Sequence, residues 1–358
     1  MTTIEQLFEL QALPGVEILG FDPCGLDSGG CLMDNMREVE TPDSWIFDGL
    51  IEAGDQVLIA GAPKAGKSLL ASQIALAAAS GGKFLRWRAA RKMRLAYVNL
   101  ELRGKRFADR ILRQSGTTAD EVRRTRRVPR TLAEINAFGR LLPIHEYRTL
   151  DVLNPGADVD ALRATLSEYG PDLVVFDVLA RMHSGDEQVA SDMKRVMHFL
   201  RDLAARAASA VVLHTRKPQT DELRPQVAAD IRGSSAVHGE VDLAMILSKR
   251  PGNGARYAVT WSARNVAEPP ELLLNVGPDL CFIDAADEQA NAAQTAIRAA
   301  FNGRPELQAG DLLEAVREGL RCGRDGAYAA VAAAVDAGLL SCEHRGRGRA
   351  YRLAGNPA

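Results

Sequence analysis

Apolar residues in this chain fall into two kinds of run, and their alternation predicts an architecture. Short unbroken runs, Val57-Leu58-Ile59-Ala60, Leu95 to Leu100, Leu173-Val174-Val175-Phe176 and Ala210 to Leu213, read as strands buried on both faces. Another strand is expected at Leu141-Leu142-Pro143-Ile144. Between these runs the apolar residues take helical spacing: Leu69 to Ala79, Val159 to Tyr169, and Ser191 to Ala208, where Met193, Val196, Met197, Leu200 and Leu203 share a face. Strand and helix in alternation predict an α/β fold, a mostly parallel twisted sheet with helices on both faces. Later runs at Leu243 to Leu247, Tyr257 to Trp261 and Glu271 to Val276, with the turn-forming Pro251-Gly252-Asn253-Gly254, predict an antiparallel meander at one edge.

Past Ala285 the pattern becomes Ala-rich and helical, at Gln289 to Phe301, Ala309 to Leu320 and Arg324 to Ala337. Leu339-Leu340-Ser341 and Arg349 to Leu353 then flank the basic turn Arg345-Gly346-Arg347-Gly348. Three helices and a two-stranded wing predict a small C-terminal winged helix-turn-helix domain, a shape that serves contact with DNA or with protein. The expected division is an N-terminal arm or cap over 1–40, an α/β core over 41–285 and the winged helix over 286–358. The first segment opens with a helical pattern (Ile4, Leu7, Phe8, Leu10) and loses it in Gly, Pro, Asp and Cys; an arm docking on a neighbouring subunit is the alternative.

Composition adds mainly exclusions. With 46% hydrophobic and 25% charged residues over 358 positions, the chain has the make-up of a globular protein with room for one large and one small domain. No apolar run is long enough for a membrane span, and no secretory leader is expected, which points to the cytoplasm. The cysteines (Cys24, Cys31, Cys281, Cys322, Cys342) lack C-x-x-C spacing, so free thiols are expected rather than a disulfide framework or zinc site. A net charge of −2 advertises no nucleic-acid partner as a whole, yet arginines crowd the stretch from Arg103 to Arg130. Such a row reads as a solvated face, as intersubunit pairing, or as a stripe tracking a nucleic-acid backbone.

The most specific chemistry lies at Gly61-Ala62-Pro63-Lys64-Ala65-Gly66-Lys67-Ser68, followed by Leu69, between a predicted strand and a predicted helix. This is the phosphate-binding P-loop pattern in its required context. Gly61 and Gly66 let the backbone turn its N–H groups inward, and the helix N-terminus adds partial positive charge. Lys67 is expected to reach the β/γ-phosphates and the Ser68 hydroxyl to hold Mg²⁺, so ATP and Mg²⁺ are the expected cofactors. Asp177 closes the Leu173–Phe176 run in the Walker B manner and is expected to hold the same Mg²⁺ through water, opposite Ser68.

Two further residues end predicted strands: Glu101, after Tyr97-Val98-Asn99-Leu100, and His214, after Leu213. The order P-loop, Glu, Walker B Asp, His, followed by Arg232-Gly233-Ser234-Ser235, resembles the RecA-like ATPases, and within them the RepA-like hexameric replicative helicases of plasmids and phages. The resemblance runs from Trp45 to Val276 and includes Asp177-Val178-Leu179-Ala180-Arg181-Met182-His183 and the acidic pair Asp186-Glu187. It implies that Glu101 activates the attacking water, that His214 senses the γ-phosphate, and that the loop from Arg216 to Pro225 meets DNA through Arg216, Lys217 and Arg224. It also implies an arginine supplied in trans. Ser262-Ala263-Arg264-Asn265-Val266 keeps the arginine and asparagine of the family's Lys-x-Arg-Asn-Gly element and lacks its lysine and glycine, which makes Arg264 the candidate and Arg232 the reserve.

What the resemblance implies overall is an ATP-hydrolysing DNA motor, a homo-oligomer in the form of a hexameric ring. It would translocate on single-stranded DNA in the replication of a plasmid, phage or mobile element, with replication proteins as further partners. The alternative on the same core is an ATP-dependent DNA-binding regulator or a recombination mediator without helicase activity.

Overall fold

The computed structural model describes residues 44–116, 140–144, 150–215, 234–250, 255–345 and 348–354. The chain divides into two units between Trp45 and Ile46, and the second carries the fold described below. A short pair, β1 (Trp45–Phe47) with β2 (Ile51–Glu52), leads into it. The main strands are β3 (Gln56–Gly61), β6 (Leu95–Asn99), β7 (Leu141–Ile144), β8 (Leu173–Asp177), β9 (Ala208–His214), β10 (Leu243–Lys249), β11 (Tyr257–Ala263), β12 (Leu272–Val276) and β13 (Phe282–Asp284). They form one nine-stranded sheet in the order β13-β12-β11-β10-β3-β9-β8-β6-β7. From β10 to β7 every neighbouring pair is parallel, and β11, β12 and β13 add antiparallel to the outer side of β10. The mostly parallel sheet with a meander at one edge is the expected one.

The unbroken apolar runs have a direct cause, since both faces of the sheet are covered. Val57 and Ile59 face one core, together with Leu70, Ile74 and Ala78 of the helix α1 (Lys67–Ser80). Leu58 and Ala60 face the opposite core, formed with α3 (Ala157–Tyr169) and α4 (Ala190–Ala204). Val237 of the short helix α5 (Ser234–Glu240) joins that second core. Between α1 and α3 in the chain lies α2 (Gly104–Gln114), clasped to α1 by Gln114, whose amide accepts from Ser72 Oγ at 2.6 Å and donates to Leu69 O at 3.0 Å.

Two boundaries differ from the periodicity reading. The helix expected to reach Ala208 stops at Ala204, because Ala205 takes a left-handed φ of 55°, and Ala208 already belongs to β9. Helix α6 (Ala285–Phe301) begins before Gln289, where the Asp284 carboxylate accepts from Ala286 N at 2.9 Å and caps it. The basic turn after α1 also holds an unexpected ribbon, β4 (Lys83–Phe84) with β5 (Trp87–Arg88), too short for an apolar pattern to announce it.

The C-terminal part has its own core. Helices α6, α7 (Ala309–Leu320) and α8 (Arg324–Asp336) pack with a three-stranded antiparallel sheet, β14 (Leu307–Gln308), β16 (Gly348–Leu353) and β15 (Leu340–Arg345) in that spatial order. Ile297, Phe301, Leu312, Val316, Val331 and Tyr351 fill its interior. The wing is fastened at its base by Arg352, which donates to Glu306 Oε2 at 2.9 Å and pairs with Glu343 at 3.3 Å.

Candidate nucleotide site

The sheet gathers the site by ending its parallel strands together. Gly61 is the Cα partner of His214 on β9, and Asn99 is the partner of Asp177 on β8. Residues at the carboxyl ends of four strands thereby meet at one rim, the position where open α/β sheets bind ligands. A cleft of about 600 Å³ opens there, lined by Lys67, Ser68, Glu101, Arg106, Arg110 and His214 among others.

The loop itself is closely constrained. A Cβ on Gly61 would stand 2.4 Å from the carbonyl oxygen of Leu247 on the adjacent strand. Gly66 takes φ 99°, and a Cβ there would meet the Phe282 ring at 2.9 Å. Phe282 is held in turn by Gln73 of α1, which donates to its carbonyl at 2.9 Å and accepts from its amide at 2.8 Å. No side chain caps α1, so its N-terminal amides are left to an anion.

Lys67 is buried and donates to Gly61 O, to Ala62 O and to His214 Nδ1, each at 2.9 Å. Burial pushes its ammonium down to about 8, against the opposite pull of the Glu101 and Asp177 carboxylates. Ser68 Oγ stands 3.0 Å from Asp177 Oδ1 and 3.4 Å from Glu101 Oε2. Asp177 is wholly buried, and that burial holds its carboxyl above the usual range while hydrogen bonds from Tyr97 and Ser68 work the other way.

This donor set suits Mg²⁺. A hydroxyl and one or two carboxylates are hard oxygen ligands of the number that ion takes from a protein when phosphates complete its shell. Among the described residues no cluster of three or more His, Cys, Asp or Glu gathers, so an all-protein cage is not on offer there.

The predicted residues thus divide by position. Gly61 to Leu69, Glu101, Asp177 and His214 come together at the rim. Arg264 does not join them. It follows Ala263, the partner of Leu243, which is level with Val57 at the start of β3; over that strand's length this is about 15 Å from the P-loop end. There its guanidinium pairs with Asp242 at 3.7 Å and donates to Gly239 O. Arg216, Lys217, Arg224 and the reserve Arg232 lie outside the described residues. In the arginine row, Arg106, Arg110 and Arg113 line the nucleotide cleft.

Two contributors were not singled out from sequence. Asn99 accepts from Leu102 N at 2.9 Å and donates to Leu102 O at 2.7 Å, which fixes the turn that carries Glu101. Tyr97 donates its phenol proton to Asp177 Oδ2 at 2.8 Å. The available signal was polarity inside a strand whose other positions are wholly apolar.

Among solved structures, the fold is similar to the ATPase domain of a helicase, at 16% identity and a TM-score of 0.52, over 72% of this chain and 99% of that one. It is also similar to a DnaB-like replicative helicase studied for its interactions with primase, at 15% identity and a TM-score of 0.50, over 78% and 70% of the two chains. No curated protein matches the sequence. At such identities the likeness carries the fold, which is RecA-like. The model of the family described as "AAA domain" matches residues 22–220, more than half of the sequence, and with its P-loop built as described this chain belongs to that family of P-loop ATPases.

Proposed function

We propose that this protein is an ATP-hydrolysing motor of the ring-helicase type, acting in the cytoplasm on single-stranded DNA during replication of a plasmid, phage or mobile element. The observation that carries the reading is the convergence of Ser68, Asp177 and Glu101 within 3.4 Å at the mouth of the P-loop. In this reading the P-loop amides and Lys67 bind the triphosphate, and Ser68 and Asp177 hold Mg²⁺. The ion supplies charge neutralisation as the β/γ bond breaks. Glu101, exposed at the cleft and braced by Asn99, orients a water and takes its proton. No covalent step is needed; catalysis is positioning and electrostatics.

The placement of Arg264 supports assembly. Far from its own P-loop, it would serve a neighbouring copy's γ-phosphate, as a ring or filament permits. His214, bonded to Lys67, would pass the state of the site to the loop that follows, where Arg216, Lys217 and Arg224 are proposed to grip the strand. The C-terminal order of helix, strand, two helices and two strands is that of a winged helix, proposed as a docking module for DNA or a replication protein.

The test is ATP turnover with and without single-stranded DNA, together with the mass of the assembled particle. A ring whose ATPase is stimulated by the oligonucleotide is expected. Specific duplex binding with a flat ATPase would identify a regulator instead, and an open filament a recombination mediator. A monomer at every concentration, indifferent to oligonucleotide, overturns the proposal.

A further inference from the structure

Asp177 is the one carboxylate among the described residues that is both fully buried and at the P-loop, and its two oxygens have different company. Oδ1 faces Ser68 Oγ at 3.0 Å, on the side where the cleft opens. Oδ2 accepts from the phenol of Tyr97 at 2.8 Å, inside the protein. The register explains the reach. Tyr97 pairs with Val175 and Asn99 with Asp177, so Tyr97 and Asp177 share a face of the sheet one diagonal step apart. A phenol spans that step.

Tyr97 is itself immobilised. It is 0% exposed, and its ring lies 4.7 Å from that of Phe107 on α2, centroid to centroid. A phenol has one proton to donate, and here that proton is committed to Oδ2. A carboxylate gripped at one oxygen cannot spin about its terminal bond, so the other keeps a fixed direction. Phenylalanine would fill the same volume and leave Oδ2 buried without a donor.

We propose that Tyr97 is a positioning residue for metal-dependent nucleotide binding: by holding Asp177 Oδ2 it aims Oδ1 at the place beside Ser68 where Mg²⁺ would be held. The inference rests on the nucleotide reading of the site and adds a residue to it. Its rival is a purely structural role, in which Tyr97 only satisfies a buried carboxylate; that role affects stability and leaves metal affinity alone.

The experiment is Tyr97→Phe in the full chain, with Mn²⁺ as the probe, its binding to the ADP complex followed by electron paramagnetic resonance. Partners that orient a metal ligand typically control about 10–100-fold in affinity, and a weakening of about tenfold or more is expected, with ADP binding in EDTA unchanged. The Mg²⁺ concentration giving half-maximal ATPase should rise in parallel, while the rate at saturating Mg²⁺ stays close to that of the unaltered protein. Unchanged Mn²⁺ affinity, with or without a lower melting temperature, overturns the inference. If the variant does not fold, 3-fluorotyrosine at position 97 replaces it: its ¹⁹F signal should shift on adding Mg²⁺ with ADP and not with ADP alone, and no shift overturns the proposal. Absence of any Mn²⁺ site in the unaltered ADP complex overturns the nucleotide reading itself, and this inference with it.

Discussion

Lys67 Nζ lies 2.9 Å from Nδ1 of His214, across the parallel pair β3 and β9. A lysine ammonium only donates, so the histidine nitrogen is the acceptor, and its ring proton is on Nε2. Lys67 also gives protons to the carbonyls of Gly61 and Ala62, so its donors are all turned to the protein. Phosphate must therefore draw Lys67 away from acceptors it already has. Any exchange that does so releases His214, which ties the occupancy of the P-loop to the strand end from which the next loop departs.

That exchange has a pH signature. With burial holding Lys67 at about 8, the free protein loses the ammonium as pH rises through that value, whereas the phosphate-bound form retains it. Binding therefore takes up a proton above about pH 8, and nucleotide affinity falls there by up to about tenfold per pH unit. Calorimetry in buffers of different protonation heat should show uptake approaching one proton at about pH 9 and little at about pH 7. The same shift affects folding. The unfolded chain binds the proton up to 10.5, so the stability of the nucleotide-free protein rises between about pH 8 and that value.

Glu101→Gln should reduce ATP turnover by roughly 10²–10⁴-fold and leave nucleotide affinity and melting temperature near those of the unaltered protein. The side chain is exposed at the cleft, so little packing depends on it. Steady-state hydrolysis and a thermal shift measured side by side check both halves; normal turnover would remove Glu101 from the chemistry.

Arg264→Ala is expected to lower turnover of the assembled particle by about 10³-fold, the scale of a trans arginine. A mixing experiment separates this from a local effect. Combined with Lys67→Ala subunits, it should regain activity at interfaces that pair an intact Lys67 with a neighbour's intact Arg264. No recovery on mixing, with assembly intact, would argue that Arg264 only ties β11 to Asp242.

Gly61→Ala should destabilise the fold by about 1–3 kcal/mol, since the new methyl meets a backbone carbonyl, Leu247 O, that cannot swing aside. Gly156→Ala is the control, with nothing within 4 Å of its Cβ. Denaturant unfolding of the two variants gives the comparison; equal stability would mean that β10 yields to the methyl.

Asp55 gives a second pH test at the opposite end of β3. Burial, helped by the Asp242 and Glu52 carboxylates, raises its carboxyl from 3.8 to about 6, while the Glu52 amide works against this. The folded form therefore binds the proton more tightly, and stability declines as pH rises from about 4 through 6. Asp55→Asn removes that decline. It should raise the melting temperature at about pH 7.5 by a few degrees and give no gain at about pH 4, with solvent screening keeping the effect below about 1 kcal/mol.

Much of the fold was legible because its signals are local. A strand covered on both faces has to be apolar throughout, and Val57 to Ala60 and Leu173 to Phe176 are. A phosphate loop has to place its glycines at fixed steps, so Gly61, Gly66, Lys67 and Ser68 could be read together. The meander β11–β12 followed from turn residues and short apolar runs in the same way. The ribbon β4–β5 and the early start of α6 were not legible, because a two-residue strand has no period and a cap such as Asp284 acts through geometry.

Sequence by itself determined the order of the elements, the phosphate loop and the acids that end its neighbouring strands, since each is written in adjacent residues. Only the tertiary structure decided that Tyr97 meets Asp177, that Lys67 meets His214, and that Arg264 stands away from its own P-loop. Those relations depend on strand order and register, and residues far apart in the chain become partners only when parallel strands align side by side, a choice made by the whole core rather than by any one segment.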